Sequence, residues 1–549
     1  MKAEQTAGPS RRQVLAGGTL AAGAMALGGC GEEAMAGELG GADWQRGHLL
    51  RDRRFPEPQG PVEEIDVVIA GGGAAGLAAG WRLAEAGFDR FTLFELEDRT
   101  GGNARHGRNA VSAYPLGAHY LPVPNREATA LRRMLGQFGM MTGERDGVPV
   151  YDPYQLCADL EERLLWRGRW QEGLFPNSGV TAADRAQHAA FERRMADLRK
   201  AVGSDGRPAF AIPMALSSAD PAFRALDGMN FAQWLDGEHF TSPVLRAYLR
   251  YCCRDDYGSE PEHVSAWAGI HYFAGRRGWA SDGDGDRELT WPEGNGRLVS
   301  LMAGWIAPYL KPAHSVFRVE PDGDGALVDL FDHAARRSRR LRARAVIMAM
   351  PHFVAARVAP KFVAKFAPKF AGEDAMSYAP WVVANVTVGR HPEGKGVSLA
   401  WDNVSTASES LGYVVATHQS EASDGGPTVL TWYLPLSKEK PEAARKIMMT
   451  RPLREWQRIV RDDLLGMNPD LDGAIERIDV WRWGHAMIRP TPGFLSDPAR
   501  GAAIAARPPV LFAHSDMSGL SLFEEAHYRG VVAAEAALAH LGLPFESLA

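Results

Sequence analysis

Between residues 64 and 95 the chain carries residues whose types and spacing suit one task, holding a pyrophosphate. Gly71-Gly72-Gly73-Ala74-Ala75-Gly76 fits the pattern G-x-G-x-x-G. Glycine at 71 permits a tight turn, Gly73 lets backbone amides approach a phosphate, and Gly76 lets the following helix pack close to the preceding strand. The free N–H groups and positive partial charge of that helix's N-terminus would face the phosphates. Glu95 stands nineteen residues after Gly76, where a carboxylate can accept from both ribose hydroxyls. His119, His271 and His485 are the candidates for moving a proton near neutral pH.

These residues need elements to position them, and the patterning supplies those elements. Residues 64 to 70 form a nearly continuous apolar run with β-branched members, which predicts a buried parallel strand. Leu77, Gly80, Trp81, Ala84 and Phe88 then recur at helical spacing, with Gly87 as the stop. Residues 91 to 94 read as a second strand ending at Glu95. Far along the chain, residues 510 to 513 read as another buried strand. A long helix follows, with Gly530, Val531, Ala533, Ala534 and Ala537 along its packing face. Asp322-Gly323-Asp324-Gly325 reads as a hairpin turn and lacks the spaced acids of a calcium loop.

The chain has 549 residues, 45% apolar and 23% charged, so it is neither disordered nor a polytopic membrane protein. A net charge of −6 and a pI near 6.3 give no pull toward nucleic acid. Four cysteines in this length exclude a disulfide scaffold, and no Cys/His cluster has zinc spacing, so no metal is expected.

Glu95-x-x-x-Arg99-Thr100-Gly101-Gly102-Asn103 resembles the segment that flavoproteins of the amine oxidase and phytoene desaturase superfamily carry after the second strand. The loop 114–120, Trp291-Pro292-Glu293-Gly294-Asn295-Gly296, the strands around Val316 and at 345–350, and His514-Ser515-Asp516 before the last helix resemble further parts of that family. The resemblance implies FAD as cofactor. Gly71, Gly73, Ala75, Gly76, Glu95, Arg99, Gly101, Gly102 and Asn103 would lie along it, with Val316 at the adenine, Asp516 at the ribityl chain and the Phe523 N–H at the flavin edge. Most members have arginine where this chain has Asn103, and glycine where it has His514. The monoamine oxidases attach FAD through a late cysteine; this chain has none after Cys253, so non-covalent FAD is expected. Their lysine near the flavin has Arg357 as its nearest counterpart. Of their two substrate-framing aromatics, one falls on Leu522 and the other on Trp483 or His485. His119 sits in the loop that the resemblance sets beside the flavin.

The expected fold is α/β, a Rossmann-type FAD-binding domain with a parallel sheet interleaved with a mixed α+β substrate domain. Its pieces are a signal at 1–30, a linker at 31–62, FAD-binding parts at 63–125, 286–355 and 491–549, a mainly helical substrate region at 126–285 and a second substrate part at 356–490. Arg11-Arg12 before an Ala/Gly-rich run resembles a twin-arginine export signal, and Leu27-Gly28-Gly29-Cys30 resembles a lipobox. These imply a protein on the periplasmic face of a bacterial membrane, lipid-anchored at Cys30. The expected activity is oxidation of an amine or similar small substrate, with O₂ or another electron acceptor. The alternatives are a desaturase or dehydrogenase of a lipid or polyene, a flavin-bearing subunit without turnover, and an NAD-linked dehydrogenase.

Overall fold

Val67, Val68, Ile69 and Ala70 have no exposed surface, so both faces of the strand Glu63–Ala70 must be covered. The computed structural model describes residues 35–281, 283–370, 376–420, 425–505 and 507–549. In it this strand lies between parallel neighbours, Phe91–Phe94 on one side and Arg337–Met348 on the other. Leu310–Lys311 extends the sheet beyond Phe91–Phe94, and Val510–Phe512 pairs in parallel with Arg337–Met348. The antiparallel strands His314–Asp322 and Gly325–Asp332 complete seven strands. Their hairpin falls where the sequence places it, with Gly323 at φ +59° in the region that glycine favours.

The helix Ala74–Glu85 packs against the C-terminal helix Phe523–His540, joining the two ends of the chain. Gly530 makes the approach possible: a Cβ there would stand 2.1 Å from the Ala75 carbonyl oxygen.

The second lobe is built on eight strands. In order they are Leu39–Gly41, Ile475–Ile488, Tyr378–Val388, Thr428–Pro435, Tyr413–Val415, Asp402–Ser405, Glu162–Trp166 and Arg169–Glu172. Every residue of Tyr378–Val388 is buried, because helices cover one face and the site covers the other. The helices Ala182–Lys200, Pro243–Tyr257 and Ala266–Ala274 form a layer with its own aromatic core. The architecture is the expected one, a parallel-sheet dinucleotide lobe interleaved with a mixed lobe.

Two expected pieces differ. Residues 35–62 of the expected linker carry the strand Leu39–Gly41 and the helix Trp44–Arg51. The expected helical region at 126–285 also holds strands, and two of them form the sheet edge through a two-residue hairpin at Arg167-Gly168, φ +50° and +76°. The first is hidden by its Gly, Pro and charge content, the second because strands of four or five residues are lost among helical patterns and aromatics. The signal residues 1–30, with Cys30, lie outside the described residues.

Candidate active site

Two glycine loops meet at the C-terminal ends of the parallel strands. The Gly101 N–H donates to the Gly72 carbonyl at 2.7 Å, and a Cβ on Gly102 would stand 3.3 Å from the Gly73 Cα. Gly71 and Gly101 sit at φ +113° and +121°, which other residues rarely adopt. Glu95 Oε2 accepts from the Gly72 N–H at 2.6 Å and Oε1 from the Glu97 N–H at 2.8 Å, so the carboxylate is fixed at the mouth of the turn. Burial pushes its pKa up, against those two main-chain donors. A cavity of about 290 Å³ runs from Val316 and Glu95 past both loops to Asp516 and Phe523.

The cavity suits a dinucleotide on two counts. A Cβ at Gly73 would project into open space, so glycine there keeps the cavity clear. Asp516 Oδ2 is occupied by the His352 N–H and the Tyr378 hydroxyl, at 2.8 and 2.6 Å. Its Oδ1 is buried 3.0 Å from His514 Nδ1, which itself accepts from the Asp516 N–H, so this oxygen has no hydrogen-bond donor among the described residues. His514 needs no glycine conformation, since it is extended at φ −120°.

A second cavity, of about 130 Å³, shares Asn103, Ala118, Ala486, Ser521, Leu522 and Phe523 with the first. Its aromatic side carries His119, Tyr120, Trp381, Tyr433 and Trp483. His119 stacks on Tyr433 with ring centroids 4.5 Å apart. The Tyr433 hydroxyl and the Trp483 indole N–H donate to the Gly117 and Leu116 carbonyls at 3.0 and 2.6 Å, which ties this wall to the loop behind it.

Its polar side carries Asp255, Asp256, Glu524 and Arg276. Arg276 donates to Asp256 at 2.8 Å and to the Tyr120 hydroxyl at 3.0 Å. Asp255 is left with the Tyr120 hydroxyl at 3.3 Å. Glu524, 5% exposed, has no side-chain donor among the described residues. Burial pushes both carboxyls up, Glu524 to about 7. Asn295 Oδ1 is also buried there without a donor.

Residues 69–138 match a family model described as an NAD(P)-binding Rossmann-like domain. The chain is 26% identical over 273 residues to AofH of Mycobacterium tuberculosis, which bears the name of a flavin-containing monoamine oxidase; the match covers 49% of this chain and 54% of AofH. The chain thus spans about half the length of that relative. It is 23% identical over 550 residues to the oxidoreductase PigB of Serratia sp., covering 89% of this chain and 77% of PigB. Among solved structures, putrescine oxidase bound to putrescine superposes with a TM-score of 0.60 at 17% identity, covering 87% of this chain and all (100%) of that one. Cyclohexylamine oxidase from Brevibacterium oxydans gives 0.61 at 18%, covering 87% and 99%. The chain has the fold of these amine oxidases. The larger cavity is the expected FAD cradle.

Ten of the twelve residues expected at FAD line that cradle: Gly71, Gly73, Ala75, Glu95, Gly101, Gly102, Asn103, Val316, Asp516 and Phe523. Gly76 acts one layer back, where a Cβ would stand 1.8 Å from the Gly71 carbonyl oxygen. Arg99 is a correction: it is exposed and lines neither cavity. The buried arginine of this loop is Arg105, paired with Glu97 and lying 5.2 Å from the Trp483 ring centroid. Asn103 donates to the Ala486 carbonyl, at the wall shared by both cavities.

Arg357 is the second correction. It donates to the Arg51 carbonyl at 3.3 Å on the helix His352–Val358 and lines neither cavity. The strand Tyr378–Val388 instead presents Trp381 and Val383 to the substrate cavity. His271 is a third: it is fully buried, 2.8 Å from the Ala211 carbonyl, and structural. His485 lines the FAD cradle rather than the substrate cavity, so Trp483 is the one of that pair on the substrate wall. His119 lines the substrate cavity, where burial lowers it to about 4 and keeps it neutral. Sequence reasoning missed Asp255, Arg276 and Glu524: the acids stand in helices and Arg276 just after one, where charges are ordinary.

Proposed function

We propose that the protein is an FAD-dependent oxidoreductase that oxidises a small amine where its two cavities meet. The observation that carries this reading is that shared wall. On one side lies the FAD cradle; on the other lie aromatic rings and the carboxylates Asp255 and Glu524, with only Asp256 neutralised by an arginine.

Bound FAD supplies the acceptor for a hydride equivalent, which side chains cannot supply. The protein's part is to seat the substrate and handle its proton. An amine arrives as an ammonium, and carboxylates without an arginine partner, set beside aromatic faces, suit a cation. A protonated amine cannot release hydride from its α-carbon, so its N–H proton must first leave. The Glu524 carboxyl, poised at about 7, is suited to take it, whereas His119 at about 4 is a weak base. The first-turn N–H groups of the helix Phe523–His540 set a positive partial charge at the shared wall, which favours added negative charge there. The charged wall also disfavours a polyene or lipid chain, which would leave these carboxylates buried beside hydrocarbon. Electrons would leave to O₂ or another acceptor.

Anaerobic mixing of the FAD-loaded protein with a panel of amines, lipids and polyenes tests the reading. Bleaching of the flavin by amines supports it; bleaching by lipids alone overturns it. Export with lipid anchoring is proposed from residues 10–30 and is tested by Cys30→Ser, which should release the protein from membranes.

A further inference from the structure

The segment 35–58 supplies the edge strand of the substrate-lobe sheet and is fastened to the FAD lobe as well. Its strand Leu39–Gly41 extends the substrate-lobe sheet beside Val480–Arg482. Seating there requires glycine: a Cβ on Gly37 would fall 1.9 Å from the Ile478 carbonyl oxygen, and one on Gly40 2.4 Å from the Trp481 ring. The chain then crosses to the FAD lobe. The Asp43 N–H donates to Glu97 at 3.2 Å, and Arg46 donates to the Leu96 carbonyl at 2.8 Å while pairing with Asp98 at 2.8 Å. Leu50, near the end of the helix Trp44–Arg51, is a wall residue of the FAD cradle, as is Leu96. Beyond it, Phe55 stacks on Phe317 with centroids 4.9 Å apart, and Glu57 takes both terminal nitrogens of Arg318.

We infer that this segment is a clasp for the cofactor: it closes one wall of the cradle over bound FAD, ties the two lobes together and must lift for FAD to enter or leave. On that wall Leu50 packs with Phe94, Val316 and Val354, and it is the segment's own contribution to the lining. The clasp also ends on groups that serve the site. Glu97, which accepts from the Asp43 N–H, holds Arg105, and Arg105 lies over both Trp481, packed beneath Gly40, and Trp483 on the substrate wall. Lifting the clasp therefore opens the cradle and loosens the Arg105–Trp483 contact together. Cofactor loading precedes closure, so a chain closed without FAD is a chain that cannot load it.

The test compares FAD exchange in three forms of the full chain, followed by flavin fluorescence in the presence of an excess of a competing apoflavoprotein. Gly40→Val blocks seating of the strand on Trp481 without touching the cradle. Gly41→Cys with Arg482→Cys locks it, because a Cβ at 41 would lie 3.7 Å from the Arg482 Cβ, within disulfide reach. The Arg482 carbonyl, 2.9 Å from that Cβ, must yield slightly. The cysteines among the described residues, Cys157, Cys252 and Cys253, are buried and do not compete. FAD release is expected to be at least about tenfold faster in Gly40→Val than in the unmodified protein. In the oxidised locked form it should be at least about tenfold slower, returning to the unmodified rate on reduction. The oxidised, FAD-free locked form should take up no FAD until a thiol is added. Equal release rates for the oxidised and reduced locked forms, or FAD uptake by the oxidised apoprotein, would overturn the clasp. The oxidised–reduced comparison within one protein decides the matter even where Gly40→Val fails to fold.

Discussion

The two cavities meet along one wall but are made of different material. The FAD cradle is mostly main chain: two glycine loops, helix N-termini and a few fixed acceptors such as Glu95 and Asp516. The substrate cavity is mostly side chain: rings from the eight-stranded sheet and from His119 and Tyr120, carboxylates from two helices and an arginine between them. Main-chain sites depend on where side chains are absent, and so tolerate almost nothing at a few positions. Side-chain sites depend on charge and shape spread over many positions, so single changes there should grade the function rather than remove it.

The largest expected effect is therefore in the cradle. Gly73→Val would place a side chain in the space now left open above the loop, with nothing within 4 Å to clash with in the protein itself. The protein should fold, with an unchanged far-ultraviolet circular dichroism spectrum, and purify without flavin. Normal flavin content would contradict the cradle.

Next come the carboxylates. Asp255→Asn or Glu524→Gln should keep FAD, yet lower kcat/KM for an amine by about ten- to a hundredfold, the scale of one buried charge contact. Loss of FAD from either variant would show that the two cavities are not separable. The effect should also be absent for an uncharged substrate, if one is turned over.

Stability against pH gives a smaller, signed effect. Glu524 sits at about 7 in the folded protein against 4.5 ordinarily, so the folded state holds a proton that the unfolded chain has lost. The stability from that proton is complete below about pH 4.5 and is lost as the pH rises through about 7. Glu524→Gln should thus unfold at the same temperature as the unmodified protein at low pH, and at a higher one in alkaline buffer. The difference should reach at most roughly 3 kcal/mol, and calorimetry across the range reads it. A difference that shrinks as the pH rises would give the wrong sign.

The smallest effects belong to the two arginines that lie outside both cavities. Arg99→Ala and Arg357→Ala should leave flavin content unchanged and kcat/KM within about twofold.

The same contrast explains what could be read from the chain. The strand 64–70, the loop at Gly71, Glu95 and the last helix were legible because a pyrophosphate site demands glycines at fixed offsets between a strand and a helix. Asp516 and Phe523 were legible because their segment follows a buried strand. Arg99 was placed by its position in the motif before Gly101-Gly102, and Arg357 by counting along the chain from the strand at 345–350. A loop can satisfy its geometry with Arg105 turned inward instead, and the helix His352–Val358 faces the N-terminal segment rather than the flavin wall. Asp255, Asp256 and Glu524 gave no warning, since ordinary helices carry acids at such positions. Only the tertiary fold brings Pro243–Tyr257 against the start of Phe523–His540 around one cavity. The segment 35–62 read as a linker because its strand is three residues long and pairs with one more than 400 positions away.

The central claim, that a cation-seating cavity opens onto bound FAD, is tested most directly by anaerobic single turnover. The FAD-loaded protein and its Asp255→Asn, Glu524→Gln double variant would each be mixed with a primary amine and with the alcohol of the same carbon skeleton. The account predicts fast flavin reduction by the amine in the unmodified protein, reduction slower by about a hundredfold or more in the double variant, and none by the alcohol in either. Equal reduction of both proteins by the amine, or reduction by the alcohol as fast as by the amine, would contradict it.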